Sequence, residues 1–236
     1  MEAYGPETYG AHIADLYDER YASRDPAREV ERLAALAGAG PVLELGVGTG
    51  RVAIPLAQHL APRSVAVHGI DASEPMVAQL RARDGGHLVT VAMGDMRAVD
   101  APAEQYALVY VVFNTFYALL DQDAQVDCFA NVAARLAPGG RFLIEAFVPD
   151  LDPQLPADDE FVVDPVMQRV EGHHVHRDES GTRVLPLVLR YAWPSELDLM
   201  GRMAGLTLES RAGGFEGEPF TRDSMSHVSV WVKPAA

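Results

Sequence analysis

A glycine-rich turn between Val42 and Arg51, in the sequence VLELGVGTGR, has the clearest capacity for chemistry in this chain. An apolar run typical of a buried strand leads into glycines at alternate positions, Gly46, Gly48 and Gly50. A strand that ends in such a turn and continues into a helix is typical of a nucleotide-cofactor site. A dinucleotide fingerprint, G-x-G-x-x-G, would need its third glycine where Arg51 stands, so the spacing disfavours NAD.

Two carboxylates follow the next two predicted strands. Asp71 ends the second strand in the sequence GIDAS, and Asp95 ends the third in GDM. Ligands of an open α/β sheet bind outside the carboxyl ends of its strands, so we expect both side chains beside the glycine turn. Asp71, which precedes Ala72, can accept hydrogen bonds from ribose hydroxyls. Asp95 can bind an adenine edge, and the polarizable thioether of Met96 can pack on the adenine ring.

These motifs resemble those of the class I S-adenosylmethionine (SAM)-dependent methyltransferases. The matching segments, in chain order, are ELGVGTG, GIDAS, GDM, FNTFYALL and LAPGGRFLIE. The resemblance implies SAM as the cofactor, with its methionine part against Glu44 and the three glycines. It also implies that Phe113 and Asn114, just after the fourth strand, face the sulfonium and the acceptor. Because the glycine turn and both strand ends agree, the sequence predicts SAM binding.

The N-terminal segment IADLYDERYA is similar to the lid helix of small-molecule methyltransferases such as the amino-sugar N,N-dimethyltransferases. That resemblance implies a helix that folds over the cofactor and presents Tyr17 and Tyr21 to it. The two tyrosines are four residues apart and therefore share one helix face. Packing in the core is the alternative role for both side chains.

Methyl transfer from a sulfonium is an in-line displacement, so the protein mainly has to align the reactants. A neutral amine attacks unaided, whereas a hydroxyl needs a base. We identify three candidate bases: His174 and His176, which share one face of a predicted strand, and Glu145 at the end of the fifth strand. Exposure on a hairpin and a structural hydrogen bond are the respective alternatives. No metal site is predicted, because the single cysteine, Cys128, is expected in the core.

The elements that must position these residues alternate along the chain. Strands are predicted at 42–45, 64–71, 88–95, from 106 and at 141–149, with helices at 11–37 (interrupted at 25–26), 51–60, from 74 and at 123–136. Two hairpin strands at 166–177 and 182–193, a helix at 194–204 and two closing strands follow an acidic, proline-bearing stretch at 150–164. This order predicts a Rossmann-like, doubly wound, mostly parallel seven-stranded α/β sheet with an antiparallel last strand, an N-terminal helical lid and a small β insertion.

The length of 236 residues and the apolar content of 48% fit one large domain. We expect it to have four parts: a helical lid at 1–40, a cofactor-binding core at 41–149, a β insertion over the acceptor site at 150–193, and a C-terminal helix and strand pair at 194–236.

The formal net charge of −15 lacks the basic footprint that nucleic-acid binding requires, so we expect no nucleic-acid partner. The chain shows neither a basic start followed by an apolar run nor a run of about 20 apolar residues. We therefore expect a cytoplasmic monomer or homodimer without a membrane partner.

The function that these observations favour is methyl transfer from SAM to an oxygen or nitrogen of a small-molecule, natural-product-like acceptor. Two alternatives stay open on the sequence alone. A SAM-dependent cyclase or isomerase-like enzyme would need the same cofactor site without methylating, and so would a non-catalytic SAM-binding module.

Overall fold

The computed structural model describes residues 4–151, 160–178 and 181–235. Its ten strands are β1 (Val42–Leu45), β2 (Val67–Asp71), β3 (Val89–Met93), β4 (Tyr106–Val111), β5 (Leu136–Phe147), β6 (Glu160–Asp164), β7 (Arg169–Asp178), β8 (Gly181–Arg190), β9 (Thr207–Ala212) and β10 (Ser226–Val232). Its α-helices are α1 (Thr8–Ile13), α2 (Tyr17–Arg20), α3 (Ala27–Ala37), α4 (Ala53–Leu60), α5 (Glu74–Ala82), α6 (Gln122–Arg135) and α7 (Pro194–Met203). Among the described residues, no helix is both long and apolar enough to cross a membrane.

Seven strands form one sheet in the order β3-β2-β1-β4-β5-β10-β9. Neighbouring strands from β3 to β5 run parallel, whereas β10 is antiparallel to both β5 and β9. The predicted fold class is therefore confirmed. All four residues of β1 are buried, which is expected of a central strand covered by helices on both faces.

Two apolar layers hold the helices on the sheet. On one face, the rings of Phe129 and Trp231 meet edge to face at 5.3 Å between α6 and β10. On the other face, α3 and α4 contribute Leu33 and Leu56, both fully buried. The layers fix the sheet, and its strand ends, between two sets of helices.

The small β insertion is a separate antiparallel sheet in the order β6-β7-β8. The predicted hairpin is confirmed as β7 and β8, although residues 179 and 180 of its turn lie outside the described residues. The acidic stretch 150–164, to which the sequence assigned no element of its own, ends in β6; residues 152–159 lie outside the described part. In β6 the half-buried Phe161 and Val163 alternate with exposed residues, a pattern that the flanking acids Glu160 and Asp164 obscure in the sequence.

The N-terminal lid also differs from the prediction. The chain forms two short helices, α1 and α2, in place of one continuous helix before the break at Pro26. Helices this short depend on tertiary contacts. Here Asp15 pairs with Arg183 of β8, and Asp18 pairs with Arg83 after α5. These long-range ion pairs are invisible to local periodicity.

Candidate active site

A cavity of about 630 Å³ opens at the carboxyl ends of β1, β2, β3 and β4, beneath α1 and α2. The predicted cofactor residues line it, with the exception of Gly50: Tyr17, Tyr21, Glu44, Gly46, Gly48, Asp71, Ala72, Asp95, Met96, Phe113 and Asn114. The topology thus brings together residues that are almost 100 positions apart in the sequence, at the sheet edge where α/β proteins bind ligands.

Two properties require glycine in this turn: a positive φ, and neighbouring atoms that leave no room for a Cβ. Gly46 has a φ of 67°, and a Cβ there would lie 2.3 Å from Cγ2 of Thr115. Gly50 has a φ of 79°, and a Cβ there would lie 2.8 Å from Cδ1 of Ile54. Gly50 therefore faces α4 rather than the cavity, which explains why it is not part of the lining.

Glu44 lies beneath the glycine turn and is only 3% exposed. Its Oε2 accepts a hydrogen bond of 2.8 Å from the Tyr110 hydroxyl. Burial raises the pKa of the Glu44 carboxyl to about 8, although Tyr110 and Arg51 oppose that shift. The carboxyl is therefore largely protonated at neutral pH, and a cationic ligand group beside it would favour its ionisation.

Both oxygens of the Asp71 carboxylate accept hydrogen bonds from the backbone. Its Oδ2 accepts the Gly48 N–H at 2.8 Å, and its Oδ1 accepts the Ser73 N–H at 2.8 Å. Burial raises the pKa of this carboxyl. Each oxygen has a second lone pair, so the group can still accept hydrogen bonds from a ligand diol. The bond to Gly48, which the sequence did not predict, also ties the glycine turn to the end of β2.

Ser73 lies at the N-cap position just before α5, but its side chain makes no capping hydrogen bond. Its Oγ is buried without a partner in the described structure, and the residue lines the cavity. On the adenine side of the expected cofactor site, Asp95 Oδ1 accepts the Arg97 N–H at 2.8 Å. Met96, beside it, is half-buried and lines the cavity.

Phe113 and Asn114 both adopt the left-handed conformation, with φ of 58° and 64°. Two consecutive non-glycine residues in this region store backbone strain, which commonly marks functional sites. Hydrogen bonds oppose the strain: the Glu145 carboxylate accepts the Phe113 N–H, and Asn114 Oδ1 accepts the Phe147 N–H at 2.7 Å. The sequence placed both residues after the fourth strand but gave no sign of this conformation.

The lid closes the cavity with aromatic rings. The Tyr21 ring lies 4.8 Å from that of Tyr17 and 4.9 Å, edge to face, from that of Phe113. The hydroxyls of Tyr9 and Tyr21 lie 3.1 Å apart. Burial raises the pKa of the Tyr17 hydroxyl. Tyr9 thus joins Tyr17 and Tyr21 in the aromatic cluster of the lid.

The three candidate bases occupy different positions. His174 lines the cavity, with its ring 4.9 Å from that of Phe161. His176 Nε2 lies 3.3 Å from an Asp178 carboxylate oxygen, and Glu145 binds the loop after β4; neither belongs to the cavity lining of the described residues. No group of three potential metal ligands is found in the described part of the chain. Cys128 is buried in the core, as predicted.

The far wall of the cavity comes from β8, through Leu187 and Leu189. A buried polar network fixes that strand to α6 and α7. Arg190 Nη2 donates to Gln168 Oε1 and Glu196 Oε1, each at 2.8 Å, and Arg190 also donates to Gln125. The wall is therefore held by side-chain bonds rather than by the seven-stranded sheet.

Known proteins are similar to this chain over most of its length. A methyltransferase domain family matches residues 42–140. The CcbJ methyltransferase from Streptomyces caelestis is 39% identical, with 99% of this chain and 100% of that chain covered and a TM-score of 0.86. This chain belongs to the class I SAM-dependent methyltransferases. It is therefore a SAM-dependent methyltransferase with SAM as cofactor, and the two non-methylating alternatives are set aside.

Two further relatives extend the comparison. The cypemycin N-terminal methyltransferase of a Streptomyces species is 28% identical over 204 residues, which cover 80% of this chain and 81% of the relative. SAM-bound CalS10, an amino pentose methyltransferase from Micromonospora echinaspora, shares the fold at 20% identity, with a TM-score of 0.61 and 99% of both chains covered.

Proposed function

We propose that this methyltransferase transfers the methyl group of SAM to an amine nitrogen of a small-molecule, natural-product-like acceptor. The observation that carries the proposal is the state of the acidic side chains in the cavity. Each carboxylate that lines its described part is already engaged or protonated, so the cavity suits a nucleophile that needs no strong base.

The proposed cofactor pose follows the strand ends. The methionine part lies on Glu44 and the glycine turn, with Gly50 supporting the turn from behind. The ribose lies on Asp71 and Ala72, and the adenine on Asp95 and Met96. The sulfonium faces the remaining predicted cofactor residues: Tyr17, Tyr21, Phe113 and Asn114. In this pose the methyl group points towards the apolar wall of β8.

The choice of nitrogen rests on the groups around that methyl position. Asp71 accepts two backbone N–H groups, and Asp121 caps α6 by accepting the Ala124 N–H at 2.7 Å. Burial leaves Glu44 largely protonated at neutral pH and raises the pKa of Tyr17. A neutral amine can attack the sulfonium without any of them. The cypemycin relative is named as an N-terminal methyltransferase, which supports the same choice because a peptide N-terminus is an amine.

Transfer to a hydroxyl oxygen is the second candidate function, and His174 favours it. His174 lines the cavity, and an imidazole can act as a general base. In that case His174 would be the base. Glu145, which holds the Phe113 N–H, and His176, which pairs with Asp178, would act only through other groups.

Methyl-tritiated SAM with matched amine and alcohol acceptors of the same carbon skeleton tests the proposal. We expect label in the amine products, with a rate that rises as the acceptor ammonium loses its proton. The variant His174→Gln should leave that pH profile in place. Label only in the alcohol products, lost in His174→Gln, would contradict N-methylation and establish the second candidate.

We further propose that the enzyme works in the cytoplasm as a single domain, in the four parts that the sequence suggests, and as a monomer or homodimer. The net charge of −15 supports an acceptor other than nucleic acid, because phosphate binding requires a basic surface. Light scattering at working concentration would determine the oligomeric state.

A further inference from the structure

Two arginines of the lid line the cavity without a direct ion pair. Arg20 ends α2, and Arg24 lies in the turn that follows. Among the residues that the structure describes, neither side chain forms an ion pair or a hydrogen bond, and Arg20 Nε is buried with no acceptor. Arg24 is exposed, and its charge acts on Glu145 from a distance: burial raises the pKa of that carboxyl and Arg24 opposes the shift. The chain has 34 acidic and 19 basic residues, so a shortage of carboxylates does not explain why these two arginines lack an ion pair. A buried donor without a partner is costly, and a ligand acceptor would remove that cost.

The two guanidinium groups lie over two neighbouring aromatic rings, those of Tyr21 and Phe113. The guanidinium carbon of Arg20 lies 5.9 Å from the centroid of the Tyr21 ring, and that of Arg24 lies 4.4 Å from the centroid of the Phe113 ring. The two rings touch edge to face. Stacking on a ring orients a guanidinium and leaves its N–H edge available to a planar anion.

A third arginine provides the contrast. Arg51 lies 5.4 Å from the centroid of the same Phe113 ring, but its Nη1 pairs with Glu29 at 3.2 Å, and it faces Glu44 beneath the glycine turn. Arg51 is thus paired with a protein carboxylate, that of Glu29, at the proposed methionine end. Arg20 is instead near Tyr9 of α1, the helix that packs against β8 and the acceptor wall.

We propose that Arg20 and Arg24 form a subsite for an anionic group, a carboxylate or a phosphate, on the methyl acceptor. The acceptor is then an amine that also carries a negative charge. This inference rests on the proposed function, in which the cavity holds SAM and an amine together. SAM itself carries a carboxylate. The experiment must therefore distinguish binding of an anionic group on the acceptor from binding of the cofactor carboxylate.

Titration calorimetry on enzyme saturated with S-adenosylhomocysteine makes that separation, with inorganic phosphate and succinate as probes. The cofactor carboxylate is then already in place, and only a second anion site can respond. We expect wild-type enzyme to bind one of these anions at millimolar concentration. Arg20→Gln and Arg24→Gln should each weaken that binding about tenfold, as for a lost charge-assisted bond, and should change S-adenosylhomocysteine affinity less than twofold.

The matched control is Arg202→Gln, which removes an exposed arginine of α7 outside the cavity. Equal loss of anion binding in this control would reveal a general charge effect and overturn the proposal. So would weaker S-adenosylhomocysteine binding in the lid variants together with no anion binding by the saturated wild type, because the arginines would then hold the cofactor carboxylate. A wild-type enzyme that binds no S-adenosylhomocysteine at all would instead refute the proposed function.

Discussion

The two sides of the cavity are built differently. The proposed cofactor side consists of strand ends and one glycine turn, held by main-chain bonds such as that from Gly48 to Asp71. The acceptor side is a three-stranded sheet beneath the short lid helices, which also reach over the cofactor side, and it is attached by side-chain contacts such as Arg183 with Asp15. The side proposed for the cofactor is thus fixed by the main chain of the fold, whereas the side proposed for the acceptor is positioned by side-chain contacts, both buried and exposed.

The variant with the largest expected effect tests how tightly the cofactor side is packed. Gly46→Ala adds a Cβ beside Thr115 at a positive φ, so we expect a loss of about 2–4 kcal/mol in the free energy of unfolding, from conformational strain and overpacking together. Denaturant unfolding measures it. Gly139→Ala is the matched control, since its φ is 76° with nothing within 4 Å of the added Cβ. Equal losses in both variants would mean that close packing at Gly46 contributes nothing.

Asp71→Ala tests the strand-end carboxylate. We expect SAM affinity to fall by about 1.5–3 kcal/mol, the range for a lost hydrogen bond to a charged group. Asp95→Ala should cost less, because among the described residues the Asp95 carboxylate accepts only the Arg97 N–H, within its own turn, whereas Asp71 accepts two backbone N–H groups. Calorimetric titration with SAM gives both values. Unchanged affinity in Asp71→Ala would place the ribose elsewhere.

The buried Glu44 carboxyl makes the cofactor side sensitive to pH. Its pKa in the folded enzyme is about 8, above the unfolded value of about 4.3. The folded state therefore holds the extra proton between these values, and the stability of the cofactor-free enzyme falls as pH rises through that window. Glu44→Gln should flatten this dependence in urea unfolding from pH 5 to 8.5. An equally steep decline in that variant would assign the effect to another group.

The lid should respond more weakly than the cofactor side. Arg183→Gln breaks an exposed ion pair with Asp15, so we expect less than about 1 kcal/mol of lost stability. Dissociation of S-adenosylhomocysteine, followed by stopped flow, should nevertheless become severalfold faster because the lid opens more readily. Arg222→Gln, which breaks an exposed pair with Asp223 away from the lid, is the control. Similar dissociation rates in all three proteins would show that this contact does not hold the lid.

Ser73→Ala should have the smallest effect. Its Oγ has no protein partner in the described structure, so the variant loses no internal hydrogen bond and its thermal stability should stay within about 0.5 kcal/mol of wild type. We expect a severalfold loss of SAM affinity if the hydroxyl meets the cofactor. A large loss of stability would mean instead that Ser73 caps α5.

The contrast between the two sides of the cavity also explains which features could be predicted from the sequence. The glycine spacing and the acids Asp71 and Asp95 are local patterns, and parallel strand ends meet at one edge by topology, so the cofactor side was predictable. The broken lid helix, β6 and the unpaired Arg20 depend on contacts between distant segments. The left-handed pair Phe113 and Asn114 depends on Glu145 and Phe147, about 30 positions away, and no local signal announces it.

The proposed cofactor pose can be tested by a crystal structure with S-adenosylhomocysteine bound. We expect the ribose hydroxyls to lie about 3 Å from the Asp71 carboxylate, with the sulfur facing Phe113 and the β8 wall beyond it. A ligand bound outside this cavity, or one whose ribose is remote from Asp71, would refute that pose.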